Sequence, residues 1–429
     1  MKIVVIGGGP AGMMAAYAAK SENPEAQVTL LEKNEKLGKK IFITGKGRGN
    51  LTNACNTEDL LEHYVTNPRF LYSAIYDFTN KDVIKLMEKG GCRVKIERGD
   101  RVFPVSDHAY SITDCLKRYL KKSGVNIGYN TCVKSLLISE KKDSDQILRY
   151  VTGLETDKGH LNADRIIVAT GGLSYPSTGS TGDGYRFAES AGMQVTECFP
   201  SLVSLDVHEE DIRMLRGLKL KNISIEIKDE QGKVVYQDFG DLDFINQALS
   251  GPVILSASTH VTRFLNAKDP KQHKILTLHI NLKPALTDRQ LDERLLRDFN
   301  TYRNKELRNA LSDLLPATLI PVFLKRLEKT GVDINQKVTV VSKESRKKLL
   351  DLLRNFTYTI AGTGNFREAI VTQGGVSVKE INPRTMESKK VQGLYFAGEV
   401  LDVDGYTGGF NMQMAFSTGH LAGVSAAKA

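Results

Sequence analysis

An α/β fold, in which a parallel-stranded domain is split by a β-rich and then a helical insert, is the architecture this sequence predicts. Three observations carry the prediction. The chain opens MKIVVIGGGPAG, a β-branched run that breaks into a glycine turn. Two later stretches, ADRIIVATGG at 163–172 and GLYFAGEV at 393–400, repeat the pairing of a short apolar run with a glycine turn. Between them, from 191 to 362, the texture changes to alternating strands and then to helical periods.

The run from Ile3 to Ile6 has the continuous apolar character of a parallel strand buried on both faces. Gly7, Gly9 and Gly12 then fit GxGxxG. The first glycine permits the tight turn, the second lets a pyrophosphate approach the backbone, and the third allows close packing of helix on strand. The alanine-rich stretch 11–20 is the expected helix, and its N-terminal N–H groups and dipole make an anion site beside Pro10 and Ala11. A second strand, QVTLL, ends in Glu32 with Lys33 next to it. An acid twenty residues beyond Gly12 is placed to accept hydrogen bonds from ribose hydroxyls. The order is that of a Rossmann-like unit binding a dinucleotide with an unphosphorylated ribose.

The next stretch, KKIFITGKGRGNLTN at 39–53, places glycines and cations around what reads as a short apolar strand. Such a loop also fits a surface turn with solvated cations. Coming directly after the second strand, it is expected near the same phosphates, with Lys40 facing them. Thr44, Gly45, Gly47 and Asn50 would offer bare backbone, and Lys46 and Arg48 would lie closer to a ring. At 163–172 a buried strand ends in Ala169, Thr170 and Gly171, and STGSTGDGYRFAESAG leads into a helix. The domain division expected is 1–190 with 363–429, a β-rich insert at 191–283 and a helical insert at 284–362. Asn246, Gln247 and Ser250 are candidates to reach a substrate pocket, although turn or strand-edge roles fit them as well.

Composition narrows the setting. The 429 residues, 41% hydrophobic, suffice for two to three domains. A net charge of +9 permits nucleic-acid, membrane-surface or anionic-ligand partners, but the cations are spread along the chain. The five cysteines lie far apart without a CxxC pair, which argues against a disulfide framework or structural zinc and fits a reducing compartment. No apolar run approaches the roughly 20 residues that span a bilayer, and the first residues do not resemble a signal peptide. A cytoplasmic protein with no membrane or metal partner is therefore expected. His260 and His420 have no nucleophilic or metal-ligand neighbours and read as core or surface residues.

The motifs GGGPAG with Glu32, ITGKGRGNLTN, ATGGLSYPSTGSTGDGY, LSGPVIL, VTQGGVSVKEI, GLYFAGEVLDVDG and GGFNMQMAFSTG run in order over nearly the whole chain. In these the sequence resembles bacterial flavoproteins of the aminoacetone oxidase, or NAD(P)/FAD-dependent oxidoreductase, family, distantly similar to the fumarate reductase flavoprotein fold. It departs from that family in reading FINQALSGP where FTHxGLSGP is more frequent, and in Met414 where an aromatic often stands. The resemblance implies noncovalent FAD, and a long cofactor calls for a second cradle. Gly398 and Glu399, then Gly408, Gly409, Phe410, Asn411 and Met412, are expected to supply it, with Glu399 accepting from a ribityl hydroxyl. Val133 is an expected adenine neighbour.

The implied reaction is oxidation of a small amine, the small-molecule substrate, with oxygen as acceptor; Lys46 would stabilise developing superoxide and Arg48 the charge on the flavin N1 to O2 edge. Two alternatives stand beside it. One is NAD(P)H-dependent reduction of an activated C=C or C=O bond. The other, ranked lower because no basic and aromatic cluster is visible in the sequence, is an RNA-modifying flavoprotein.

Overall fold

The protein is described from a computed structural model covering residues 1–143 and 146–428. The chain divides into two compact units, one built from Met1–Ser201 with Asn365–Ala429 and the other from Leu202–Gly364.

The first unit is organised by a five-stranded parallel sheet. Its order across the sheet is Leu394–Phe396, Arg165–Val168, Lys2–Ile6, Gln27–Leu31 and Asn126–Gly128. The β-branched first strand is central because both its faces are covered: Ile3, Val4 and Val5 are at most 1% exposed. The helix Pro10–Glu22 follows at once and packs on the C-terminal helix Phe410–Lys428. Small residues let the two backbones touch. A Cβ added to Gly419 or Gly423 would lie 2.4 Å from the Ala11 carbonyl or 2.3 Å from the Ala15 carbonyl. Three smaller sheets flank this layer: Thr52–Asn53 with Arg101–Pro104 and Val94–Glu97, the meander Val133–Asp143, Gln146–Thr156 and Gly159–Asn162, and the pair Phe199–Ser201 with Val371–Gln373.

The second unit is a closed six-stranded barrel with helices sharing its core. Strands Leu205–Val207, Ala248–Ser250, Val234–Ile245, Lys219–Asp229, Leu276–Asn281 and Phe356–Thr363 succeed one another around it. Period-two alternation fills the inside: Ile225 pairs with Ile280 and Leu278 with Tyr358, all buried. Arg326, on the helix Ile320–Glu328, lies 4.1 Å from the Phe356 ring centroid and 4.4 Å from that of Tyr358. It donates to both oxygens of Asp211 at 2.7 and 2.8 Å.

Two expectations are corrected here. The insert does not split at 283/284, because the final barrel strand, Phe356–Thr363, comes after the helices and one hydrophobic core serves both. The β-rich half also contains a 15-residue helix, Pro252–Asn266. The second correction concerns the apolar piece at 41–47. It forms 3₁₀ turns interrupted at Thr44, Gly45 and Lys46, and pairing begins only at Thr52–Asn53.

Candidate functional site

The C-terminal ends of the parallel strands open onto one cleft in the first unit, with about 1200 Å³ of empty space counted out to its mouth. Ligands of open parallel sheets bind at such strand ends. Gly7 turns the chain at φ +105°, and a Cβ there would sit 2.5 Å from the Ala169 carbonyl oxygen. At Gly12 a Cβ would lie 1.8 Å from the Gly7 carbonyl oxygen, so helix and strand meet backbone to backbone. Gly9 is different. It caps the helix in extended geometry, and a Cβ built on it meets nothing within 4 Å. That space, in front of a helix N-terminus, fits a pyrophosphate.

Glu32 is buried at the end of the second strand and lines the cleft. One carboxylate oxygen accepts from Gly8 N at 2.7 Å, and the other from Asn34 N and Nδ2 at 2.8 and 2.6 Å. These bonds fix the carboxylate in place on the cleft lining. Lys33 is tied back by Asp183 at 2.7 Å and Thr181 at 2.6 Å, and Val133 lines the same end. Thr170 Oγ1, also on the lining, is buried without a hydrogen-bond partner among the described residues. An orphaned hydroxyl beside a bare helix N-terminus fits a polar ligand that completes both.

Glu399 is the hub of the opposite end. Its Oε2 accepts from Lys40 Nζ at 2.7 Å. Its Oε1 accepts from Ser174 Oγ at 2.6 Å and from Thr372 N at 2.8 Å, and Lys40 also donates to Ser174. Lys40 therefore serves a carboxylate across the cleft, where the sequence had suggested phosphate; residues 359 apart in the chain meet only once the C-terminal strand joins the sheet.

Of the residues expected from sequence, Gly7, Gly9, Pro10, Ala11, Glu32, Lys33, Lys40, Thr44, Val133, Ala169, Thr170, Gly171, Glu399, Asn411 and Met412 line the cleft. Gly12 stands behind it, holding helix to strand. The glycine and cation loop turns away. After Thr44, Gly45 and Lys46 adopt left-handed conformation, and the chain runs onto the sheet carrying Phe103, whose ring is 3.0 Å from a Cβ built at Gly45. Gly45, Lys46, Gly47, Arg48 and Asn50 are consequently not on the lining.

Lys46 is exposed. Arg48 lies 4.3 Å over the Phe103 ring and binds Asp107 through Nε at 2.9 Å and Glu97 through Nη1 at 3.1 Å. These carboxylates push the guanidinium further up and are themselves held below the usual carboxylate range. An ion network of this kind, rather than a flavin edge, is what Arg48 serves. Gly398 (φ +78°) packs on Ala11, Gly409 on the Thr52 backbone and Phe410 face to face with His63 at 4.2 Å, while Gly408 turns at φ +124°. All four shape the second cradle from outside. Asn411 closes its own loop through Gly405.

The sequence reading missed Asn34, Ser174, Ser180, Asp183 and Val371. Ser174, Ser180 and Asp183 lie in LSYPSTGSTGDG, which by itself reads as a turn before a helix, whereas Asn34 and Val371 lie outside that stretch. His420 bonds Asp77 and stacks on Phe78, and His260 stacks on Tyr236, structural roles for both. Asn246 and Gln247 are exposed and Ser250 half-buried in the second unit. All five cysteines are free, and no group of residues suited to a metal ion occurs among the described residues. Among them too, no helix is long and apolar enough to cross a membrane.

A glycine turn against a helix N-terminus, an acid at the second strand and a second cradle contributed by the returning C-terminal strand define an FAD-binding flavoprotein with a Rossmann-like domain and a β-rich insert. The chain belongs to a specific family within that class: the HI0933-like protein Rossmann domain matches residues 1–425. It is an FAD-dependent oxidoreductase. It is 31% identical to a 3-dehydro-bile acid delta(4,6)-reductase of Clostridium scindens over 100% of this chain and 99% of that protein. It is 32% identical to a ribosomal RNA dihydrouridine synthase of Haemophilus influenzae, covering 98% of this chain and 97% of that protein. A chain of an Escherichia coli quinol fumarate reductase shares the fold at a TM-score of 0.51 and 15% identity, over 100% of this chain and 70% of that one.

Proposed function

We propose that this enzyme reduces a carbon–carbon double bond conjugated to a carbonyl, with the uracil ring of an RNA uridine as its substrate. The observation that carries the reading is the shared chemistry of two full-length relatives. One is named as a reductase of a 3-oxo steroid with double bonds at positions 4 and 6, and the other as forming dihydrouridine in ribosomal RNA. In both, the bond to be saturated is polarised by a neighbouring carbonyl. FAD, when bound and reduced, would supply a hydride for the electron-poor carbon, a proton completing the neighbouring one. The chain's own residues bind and orient. Gly9 and the helix N-terminus take the pyrophosphate, Glu32 the ribose, and the ion pair of Lys40 with Glu399 the far end of the cofactor.

Uridine in RNA is favoured over a steroid acid by the net charge of +9 and a pI of about 9.1, which attract a polyanion. NAD(P)H is the reductant in this reading and binds transiently, since the sequence shows no second GxGxxG followed by an acid between 191 and 362 that would make a dedicated nicotinamide domain. Amine oxidation with oxygen, the leading expectation from the sequence, has no support among these relatives. Anaerobic mixing decides between them. NADPH is expected to bleach the flavin, and a uridine-containing ribosomal RNA to restore its colour while gaining two hydrogens per uridine by mass. Bleaching by aminoacetone but not by NADPH refutes the reductive reading.

A further inference from the structure

The loop that leaves the cofactor cleft ends on a basic face. Ile41 and Thr44 line the cleft, and Lys46 follows two residues later, fully turned out by its left-handed backbone. Beside it stands the hairpin of Val94–Glu97 and Arg101–Pro104, in which Lys95 pairs with Phe103 and Glu97 with Arg101. Because side chains alternate along strands, Lys95, Glu97, Arg101 and Phe103 share one side of the hairpin, and Arg93 belongs to the same alternation. The guanidinium of Arg48 covers the Phe103 ring on that side, with Arg101 6.0 Å from the ring centroid. Five cations thus meet two acids there, Glu97 and Asp107.

Both acids are already engaged. Asp107 accepts from Arg48 and, at 2.6 Å, from Lys95; Glu97 accepts from Arg48. Lys46, Arg93 and Arg101 are exposed, and no ion pair among the described residues engages them. Tyr110, 50% exposed, and His108 stack at 5.5 Å next to this network, held to the loop by the Ala109 N–H donating to the Gly47 carbonyl. Arg101 is four residues from Val105, whose N–H bonds the Arg93 carbonyl. At about 3.3 Å per residue the two arginines stand roughly 13 Å apart, about the rise of four stacked nucleotides at roughly 3.4 Å each.

We infer that this face, formed by Lys46, Arg93, Arg101 and the Tyr110 and His108 rings, holds the sugar-phosphate backbone of a single-stranded RNA and presents a neighbouring base toward the cofactor cleft. The inference rests on the RNA reading proposed above. Three exposed cations without an acidic partner, two of them about four nucleotides apart, bind phosphates without reading sequence, although Arg101 Nε also donates to the Arg98 carbonyl at 3.0 Å; an exposed aromatic pair offers a base a stacking surface. The acids fix Arg48 and Lys95 so that the surface is built in advance of binding. The continuity of one loop, from Thr44 on the lining to Lys46 on the face, connects binding with chemistry inside a single unit.

The test uses the FAD-loaded full chain, a fluorescein-labelled uridine 15-mer and the triple variant Lys46→Glu, Arg93→Glu, Arg101→Glu. A control triple variant, Lys325→Glu, Lys329→Glu, Lys337→Glu, reverses exposed charges in the second unit. The face variant is expected to keep its yellow colour and melting temperature and to lose RNA affinity at least about tenfold. Its log–log salt slope is expected to fall by about 2, from roughly 0.7 per phosphate contact on a single strand. Retained RNA affinity in the face variant, or an equal loss in the control, overturns the assignment. So does tighter retention of poly-glutamate than of RNA, which marks a protein-docking surface. If the unmodified holoenzyme fails to bind the 15-mer, the RNA reading and the face fall together, whereas NADPH-driven saturation of a small enone still upholds the reductive chemistry.

Discussion

Replacing Gly9 with Val separates cofactor binding from folding. Gly9 has φ −77° and ψ −174°, a conformation open to any residue, and a Cβ there meets nothing within 4 Å. The protein without cofactor should therefore tolerate the side chain, with a stability change within about 0.5 kcal/mol, as for other substitutions that touch no special feature. The valine methyls instead occupy the space where the pyrophosphate meets the helix N-terminus. Overpacking of about 1 to 3 kcal/mol, with loss of at least one charge-assisted hydrogen bond of about 1.5 to 3 kcal/mol, weakens FAD binding by roughly two to four orders of magnitude. Calorimetry of the deflavinated protein and fluorescence titration with FAD measure the two quantities independently. Gly12→Ala is the internal comparison, because its Cβ would sit 1.8 Å from the Gly7 carbonyl oxygen and must damage fold and binding together. A Gly9→Val protein that retains stoichiometric FAD, or that melts as early as Gly12→Ala, refutes the assigned turn.

Lys40→Met leaves Glu399 with Ser174 and the Thr372 N–H alone; FAD affinity is expected to fall by about tenfold, with partial rescue by Lys40→Arg, as read by FAD titration. Arg326→Met strands Asp211 and empties the space between two rings, and urea unfolding should show a loss of about 3 kcal/mol while FAD content per folded molecule is unchanged. Burial pushes the Asp404 carboxyl up to about 6 from an ordinary 3.8, despite bonds from Thr66, Gln373 and Ser201. Its native form binds the proton more tightly than the unfolded chain, so its stabilising contribution is complete below about pH 4 and is lost as pH rises through 6. Asp404→Asn, which cannot ionise, should gain stability over the parent chain across that window, by up to about 3 kcal/mol above pH 7. A melting-temperature difference that is flat from pH 4 to pH 8 contradicts the assignment.

The site was legible where its chemistry is local. Gly7, Gly9, Gly12 and Glu32 lie within one strand, turn, helix and strand, and each is required by backbone geometry that neighbouring residues impose. The same holds for the central strands, whose continuous β-branched runs admit burial on both faces and little else. Residues whose role depends on distant partners were misread. Lys40 looked like a phosphate ligand because Glu399 is 359 positions away, and Arg48 looked free because Glu97 and Asp107 lie 49 and 59 positions on.

The barrel shows the same limit. Alternating residues announced strands, but nothing in the spacing stated that Phe356–Thr363 would return past three α-helices to close the sheet between Leu276–Asn281 and Leu205–Val207. By itself, then, the sequence determined a dinucleotide turn, a parallel core and an inserted β-rich segment, since period, glycine placement and chain order are properties of short stretches. Tertiary structure alone decided which cations are neutralised, which face the cleft and which form an open basic surface. Charge pairing depends on distance in space, and that distance exists only after the sheets have assembled.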